Sequence, residues 1–408
     1  MSPRLPSSAP LIQMLRILWT PTLVLLALAA GTAFAEFSPL SIHSEGFGMP
    51  VSQMGSRERA LGEGGLAAVT GKGFTLANVS RSAFHDKTVF LATLENDADW
   101  LRDDNSSSRI STGAFPSLAT LIHSKNFGTF GAYYQQSYLR NFEVNIPRDG
   151  NSPAAGYLAE GGTYLLGVSW GYSPLPWFGL GVSQNLVLNR DRFIRPVDFT
   201  DIAPGEAENM TDTSLESSGQ GSYPSVSATF RLPHNLDLAL SYTHSATLDV
   251  TRDRRTNNQG SDALADTTLK LPQTLAAGAA WKPDRRQTAV LDVFYENWTG
   301  GGNLNPAWQV STGYEYRGTE NPFDGLLKRT AWRAGAGYKV LYLREVPEVF
   351  ATAGFGMPLG QRGHQLDFAI KYGHRTFDGN TLFTEDYVKL SASVVGVSVW
   401  GQPVRKRR

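Results

Sequence analysis

From residue 87 onward the chain alternates apolar and polar or small residues with a period of two. In GHQLDFAIKYGHR, Leu366, Phe368, Ile370 and Tyr372 share one face, while Asp367, Ala369, Lys371, Gly373 and Arg375 share the other. NLDLALSYTHS sets Leu236, Leu238, Leu240 and Tyr242 against Asp237, Ala239, Ser241 and Thr243. TYLLGVSWGY sets Tyr164, Leu166, Val168 and Trp170 against Leu165, Gly167, Ser169 and Gly171. Such alternation predicts strands with one apolar face, and helical periodicity is hard to find after residue 35.

Candidate strands fall near 87–95, 113–123, 127–139, 161–172, 177–189, 222–232, 235–248, 268–282, 287–298, 307–317, 330–341, 350–357, 364–376 and 386–400. That makes fourteen. A soluble sandwich also alternates, but three features favour a membrane barrel. Most candidates are long enough to cross a bilayer when tilted, which takes about 9–11 residues, whereas soluble strands run to about 5–6. Aromatics stand towards strand ends (Trp177 with Phe178, Tyr295 with Trp298, Trp332, Trp400), as an interfacial girdle requires. Links also alternate: 96–112, 140–160, 190–221 and 249–267 are long, whereas 124–126, 173–176, 233–234 and 283–286 are short. The link 318–329 breaks this rule, being long on the short-turn side. Because lipid cannot satisfy an open sheet edge, the strands must close. An even number returns the chain to its starting side. The expected fold is therefore an all-β transmembrane antiparallel barrel of about 14 strands with an N-terminal plug.

The first residues add a compartment. ILWTPTLVLLALAA (residues 17–30) is followed by Ala33-Phe34-Ala35, the layout of a cleavable export signal. The expected organisation is a signal peptide at 1–35, a plug segment at 36–86, the barrel at 87–400 and a basic periplasmic tail at 401–408. The outer membrane of a Gram-negative-type bacterium is the expected location. Balanced charge, with 37 Lys+Arg against 37 Asp+Glu, argues against a nucleic-acid partner. Without cysteine there is no disulfide or thiolate metal site.

Motifs that carry chemistry elsewhere fail here on context. Gly62-Glu63-Gly64-Gly65-Leu66-Ala67 matches G-x-G-x-x-A, but no βαβ unit surrounds it. Gly167-Val168-Ser169-Trp170-Gly171 matches G-x-S-x-G inside an alternating strand, where a nucleophile elbow cannot form. The seven histidines form no metal-binding pair. No catalytic residue, metal or cofactor is expected. Pro116 and Pro272 fall in candidate strands; each marks either a strand end or a kink where the wall opens.

Four passages together resemble the FadL family of outer-membrane hydrophobic-compound transporters and the wider FadL-like and PorV-like set. ALGEGGLAAVTGKGFTLANVSRSAF is similar to its plug, and LKLPQTLAAGAAWKP with QTAVLDVFYENW to a pair of its strands. RAGAGYKV with TAGFGMPLGQRGHQLDFAIKYGHR, and EDYVKLSASVVGVSVWG, are similar to its closing strands. The resemblance implies a fourteen-stranded barrel, apolar ligands bound in the interior, and sideways exit through a gap at a kinked strand. At the usual Asn-Pro-Ala of the plug stands Asn78-Val79-Ser80, so proline's rigid turn is missing. Gly62, Gly64, Gly65 and Asn78 are the candidate plug residues. Arg57, Glu58, Arg59 and Glu63 are expected to pair with lumen charges such as Asp292, Glu296, Asp367 and Lys371. On this register Leu165 and Phe294 face inward as candidate ligand contacts.

The expected function is passive uptake of hydrophobic small molecules such as long-chain fatty acids. A PorV-like scaffold for exported proteins, acting through loops 190–221 and 249–267, is the alternative. A lipid hydrolase would need a nucleophile and a histidine at one height on the outer wall, and Ser169 points inward. Expected partners are outer-membrane lipid, an apolar ligand and the barrel-assembly machinery during insertion, with the barrel a monomer.

Overall fold

Fourteen antiparallel strands form the wall: β1 (Thr88–Arg102), β2 (Ser107–Ser124), β3 (Gly128–Leu139, resuming as Phe142–Ile146), β4 (Ala154–Leu175), β5 (Phe178–Asp198), β6 (Met210–Leu232), β7 (Leu236–Thr243, resuming as Ala246–Thr256), β8 (Gly260–Leu271, resuming as Gln273–Trp281), β9 (Gln287–Asn297), β10 (Ala307–Tyr316), β11 (Ala331–Val340), β12 (Pro347–Leu359), β13 (His364–Thr376) and β14 (Thr384–Ser398). The computed structural model describes residues 47–69, 73–102, 107–140, 142–146, 154–198, 210–256, 260–298, 304–342, 346–359, 363–376 and 384–398. The expected signal peptide (1–35) and basic tail (401–408) lie outside the described residues. Each strand pairs with its sequence neighbour, and β14 closes on β1 from Thr384↔Arg102 to Ser398↔Thr88.

Period-two alternation decides which face is which. Val168, Leu240, Ile370 and Tyr372 are exposed around the outside, 44–62% accessible. Asp367, Lys371, Arg375 and Leu165 point into the lumen and are buried. No helix among the described residues is long and apolar enough to cross a membrane. The strands supply the crossing.

Two details differ from the pattern-based expectation. Links 190–221 and 249–267 are largely strand: β5 and β6 stay paired up to Asp198↔Met210, and β7 pairs with β8 up to Thr256↔Gly260. The 21 residues of β5 reach ~70 Å at about 3.3 Å per residue, far beyond a hydrocarbon core of about 30 Å. Both faces are solvated there, so alternation of polarity fades and sequence reads loop. Trp298, expected in the girdle, is 3% exposed and packs inside the lumen, because Phe294, Glu296 and Trp298 share the inward face of the chain at the end of β9. The link 318–329 is long on the short-turn side, as expected, and forms an ordered hairpin tip with the Thr319 amide donating to the Lys328 carbonyl at 2.8 Å.

Inside the barrel lies residues 47–69 and 73–87. An extended arm from Phe47 leads to a one-turn helix α1 (Ser56–Arg59) and then to a 3-10 segment (Leu76–Phe84). Wall glycines make room for this plug. A Cβ at Gly335 would meet the Gly62 amide nitrogen at 2.2 Å, and one at Gly313 would meet the Leu61 carbonyl oxygen at 2.4 Å. Likewise a Cβ at Gly181 would meet the Ser80 amide at 2.3 Å. Backbone sits against backbone at these seats, which no other residue permits. Gly335→Leu is expected to leave the barrel folded, with normal heat-modifiable gel migration, while protease digests the plug much faster than in the parent. Equal protease protection would refute this seating.

Candidate functional site

Charge and apolar packing both hold the plug: Leu61 and Leu66 share a buried cluster with Ala239, Ala276 and Val290, and Phe74 one with Leu91, Leu121 and Val395. Arg57 donates from Nε to Glu315 Oε2 at 2.9 Å and from Nη2 to Glu315 Oε1 at 3.1 Å, while Arg333 donates to Glu315 at 2.8 Å and to Asp367 at 2.6 Å. Lys371 Nζ bridges Glu63 of the plug (3.0 Å) and Glu348 of β12 (2.9 Å). Arg375 joins Glu348 to Glu385, and Arg59 pairs with Glu95. Within the plug, Glu58 accepts from Arg57 and Arg81, each at 3.0 Å. Burial works against the Glu58 charge, but Arg81 and Arg57 outweigh it and hold the carboxyl below its usual range. Of the charge pairs expected between plug and wall, Glu63 with Lys371 is present. Asp292 instead accepts two plug amides, from Gly65 and Leu66, and Asp367 serves Arg333. Glu296 accepts from the Trp298 indole at 3.1 Å.

The glycine-rich stretch explains itself through these contacts. Gly62 has φ +74° and Gly65 has φ +97°, the left-handed region that glycine adopts freely. The Gly62 amide donates to Thr352 Oγ1 at 2.9 Å. A Cβ at Gly64 would collide with the Asp292 carboxylate at 2.6 Å. Asn78 is fully buried and completely satisfied. Its Nδ2 donates to the Leu66 carbonyl and to Thr229, and its Oδ1 accepts from the Ser80 amide and hydroxyl. The turn that proline would stiffen by its ring is here stiffened by the Asn78 side chain, with non-helical φ −148° and ψ 90°.

Above the plug, the lumen holds an apolar box. Phe47 packs against Tyr138 and Trp298 at 5.5 and 5.6 Å between ring centres, and Trp298 stacks on Tyr342 at 4.2 Å. The Tyr342 hydroxyl donates to the Gly48 carbonyl. Leu165 belongs to this cluster. A cavity of about 150 Å³ adjoins it, bounded by the arm from Pro50 to Met54 and by Leu165, Phe294, Tyr223 and Pro272. Leu165 and Phe294 thus both line the cavity. The rest of its lining is polar, with Ser183, Asn185, Ser225 and Thr243 and the charged Glu63, Glu296 and Lys339.

Both singled-out prolines stand where the ladder changes. Pro272 separates the two halves of β8, at the height where β7 also breaks between Thr243 and Ala246. Pro116 sits in a bulge of β2, where the rungs to β1 jump from Thr93↔Ser117 to Glu95↔Ala114. Just there pairing with β3 stops at Ser117↔Gln135; among the described residues no rung joins β2 to β3 beyond it. The freed edge of β3 takes the arm instead, as Met49↔Leu139 and Pro50↔Tyr138, with the Val51 amide donating to the Ser137 carbonyl at 2.9 Å. Sequence reasoning missed Phe47, Tyr138 and this two-residue pairing, since nothing local marks a short arm that binds a distant strand.

A closed fourteen-strand antiparallel wall, an apolar outer belt and a plug sewn into a charged lumen define a FadL-type transmembrane barrel. A family model described as BamG matches residues 14–405, and the chain belongs to the BamG family. Among solved structures, a Pseudomonas aeruginosa FadL homologue superposes with a TM-score of 0.63 at 11% identity, covering 85% of this chain and 99% of that one. The Pseudomonas putida toluene transporter TodX gives 0.58 at 12% identity over 86% and 100% of the two chains, and the CymD monoaromatic hydrocarbon channel 0.52 at 12% over 89% and 98%. At these identities the likeness is one of fold. No curated protein matches the chain in sequence.

Two predictions follow from the charges. Breaking one partner of a buried ion pair costs about 3–5 kcal/mol, so Glu58→Gln should accelerate amide hydrogen exchange in residues 56–68 by roughly 100-fold or more while the barrel strands stay protected. Exchange equal to the parent would refute the role of Glu58. His85 is buried with Nε2 donating to the Gly73 carbonyl at 3.1 Å and Nδ1 without a hydrogen-bond partner. Burial first, and Arg81 second, push its pKa from 6.5 down to about 4. The folded plug therefore disfavours the imidazolium: stability present above pH 6.5 is lost as pH falls towards 4. Exchange in residues 76–85 should quicken across that window and lose this dependence in His85→Gln; the same dependence in both would refute it.

Proposed function

We propose that this protein is an outer-membrane channel for passive uptake of hydrophobic small molecules, with a plug-gated interior site and a lateral exit. The observation that carries the reading is the lapse in the wall between β2 and β3, stopped by the chain's own arm beside the lumen cavity. A hydrophobic ligand would take the apolar box from Phe47, withdrawing Met49 and Pro50 from β3 and opening the seam above Pro116. Leu165 and Phe294 would contact it from the wall; Gly62, Gly64, Gly65 and Asn78 would keep the plug seated beneath. The FadL, TodX and CymD barrels support this by fold alone. Long-chain fatty acids and monoaromatic hydrocarbons are the two ligand classes to try, and the mixed lining of the cavity accepts a polar end in either.

A second reading has its own support. The hairpin of β5 and β6 stands well above the membrane on one side of the barrel, while β9 to β11 have only 10–11 residues each. Such a half-wall offers a surface for another protein, in keeping with a PorV-like scaffold, and the family name BamG fits association with the barrel-assembly machinery.

The chain has no cysteine, so a disulfide between Met49→Cys and Leu139→Cys, directly paired in the structure, tests the arm alone. Locking it in the oxidised protein should stop uptake of apolar probes such as toluene or a fluorescent fatty acid into proteoliposomes, and reduction should restore it. Uptake at the same rate in both redox states would reject the arm as the gate. Absence of uptake in the parent protein would favour the scaffold.

A further inference from the structure

On the outer wall, near the upper ends of β13 and β14, three side chains form a hydrogen-bonded line. Thr376 Oγ1 lies 3.3 Å from His374 Nε2, and His374 Nδ1 lies 2.9 Å from Asp386 Oδ1. The strand pleat produces this line. His374 and Thr376 are two apart on one face of β13, and Asp386 is the direct cross-strand partner of His374. A carboxylate only accepts, so His374 Nδ1 carries the proton and the lone pair of Nε2 faces the threonine hydroxyl. Tyr372, on the same face, donates its hydroxyl to the same Asp386 oxygen at 2.8 Å and holds the carboxylate in place. Arg102 pairs across β14 with Thr384 and interacts electrostatically with Asp386 and Tyr372. Thr376 and Arg102 are exposed, and His374 and Asp386 are half-buried.

We propose that Thr376, His374 and Asp386 form an esterase site on the membrane-facing wall, acting on carboxylic esters of amphipathic lipids at the outer interface. The arrangement is that of a nucleophile, a general base and a group that orients the base, recognised by geometry rather than by sequence order. An anion-binding site for lipid phosphate is disfavoured, because the centre of the cluster is itself a carboxylate. The chemistry needs no cofactor. The Thr376 oxygen attacks the ester carbonyl carbon while its proton passes to His374 Nε2. The tetrahedral adduct then expels the alkoxide, which takes that proton and leaves as the alcohol. Water attacks the acyl-threonine with its proton going to His374, and collapse breaks the acyl–oxygen bond as the proton returns to Thr376. The sum is ester plus water to acid plus alcohol. Arg102 shares a rung with Thr376 through Thr384 and would supply a cation to the oxyanion, and Asp386 is a positioning residue. None of these groups touches the lumen, so the site stands or falls independently of uptake.

The test uses the full-length protein in detergent micelles with p-nitrophenyl esters of medium-chain acids, and an alkyl fluorophosphonate probe read by peptide mass spectrometry. Hydrolysis should fall about 100-fold or more in Thr376→Ala and persist in Thr376→Ser. The probe should add to Thr376 in the parent and not in His374→Ala. Asp386→Asn should lower the rate and displace its pH profile, which loss of a merely structural contact would not do. Toluene or fatty-acid uptake should be the same in Thr376→Ala as in the parent. Parent hydrolysis no faster than that of Thr376→Ala, or probe addition at another residue alone, would overturn the proposal.

Discussion

A backbone amide in hydrocarbon has no water to turn to, and this constraint organises the molecule. Every strand must be paired on both edges, which forces closure of β14 on β1. Closure in turn fixes a lumen, and the pleat gives that lumen every second side chain. Against this background the parting of β2 from β3 beyond Ser117↔Gln135 is a costly exception. It survives because the arm at Met49 and Pro50 satisfies the freed edge of β3 beside it. Pro116 agrees with the same logic: a residue without an amide proton costs least where the ladder is already interrupted.

The same alternation explains why charge takes a large share in holding the plug, beside the apolar clusters around Leu61, Leu66 and Phe74. Beside inward apolar residues such as Val89, Leu121 and Val290, the inner face offers Glu315, Arg333, Glu348, Asp367, Lys371 and Arg375, all buried. Each buried ion must then be answered, and the plug supplies Arg57, Arg59 and Glu63 for that purpose. Desolvation offsets much of the attraction in such pairs. Their greater effect is on specificity, since a plug shifted by one residue would strand several charges at once. Wall glycines complete the fit by letting backbone approach backbone at Gly313, Gly335 and Gly181.

How much of this was legible follows from the range of each signal. Face assignment is local, so Leu165, Asp367 and Lys371 point where alternation says they should. Strand number is legible for the same reason, because each crossing leaves one stretch of alternation. The height of β5 to β8 was not, because polarity stops alternating once both faces meet water. Trp298 misled because an aromatic at a strand end suits a girdle, whereas its inward parity, readable from Phe294 and Glu296, sends it into the lumen. Contacts between residues hundreds apart, such as Tyr342 with Gly48 or Arg57 with Glu315, leave no local trace. The line from Thr376 to Asp386 was hidden differently: His374 alone reads as an interfacial residue, and only the cross-strand register brings the carboxylate to it.

Phe47 gives the lumen its most consequential property. The aromatic box is filled by the chain itself, so an apolar ligand of the proposed kind would compete with an internal side chain rather than with water. Binding then costs whatever held Phe47, Gly48 and the arm in place, including the Tyr342 hydrogen bond and the rungs to β3. A ligand shifts the arm only by the difference between its affinities for the two arrangements. On the proposed uptake, a ligand that takes the box would pay the displacement and loosen the seam in the same event. Occupation of the box and release of the exit would, on that reading, be a single equilibrium, set by Phe47 and the short strand that follows it.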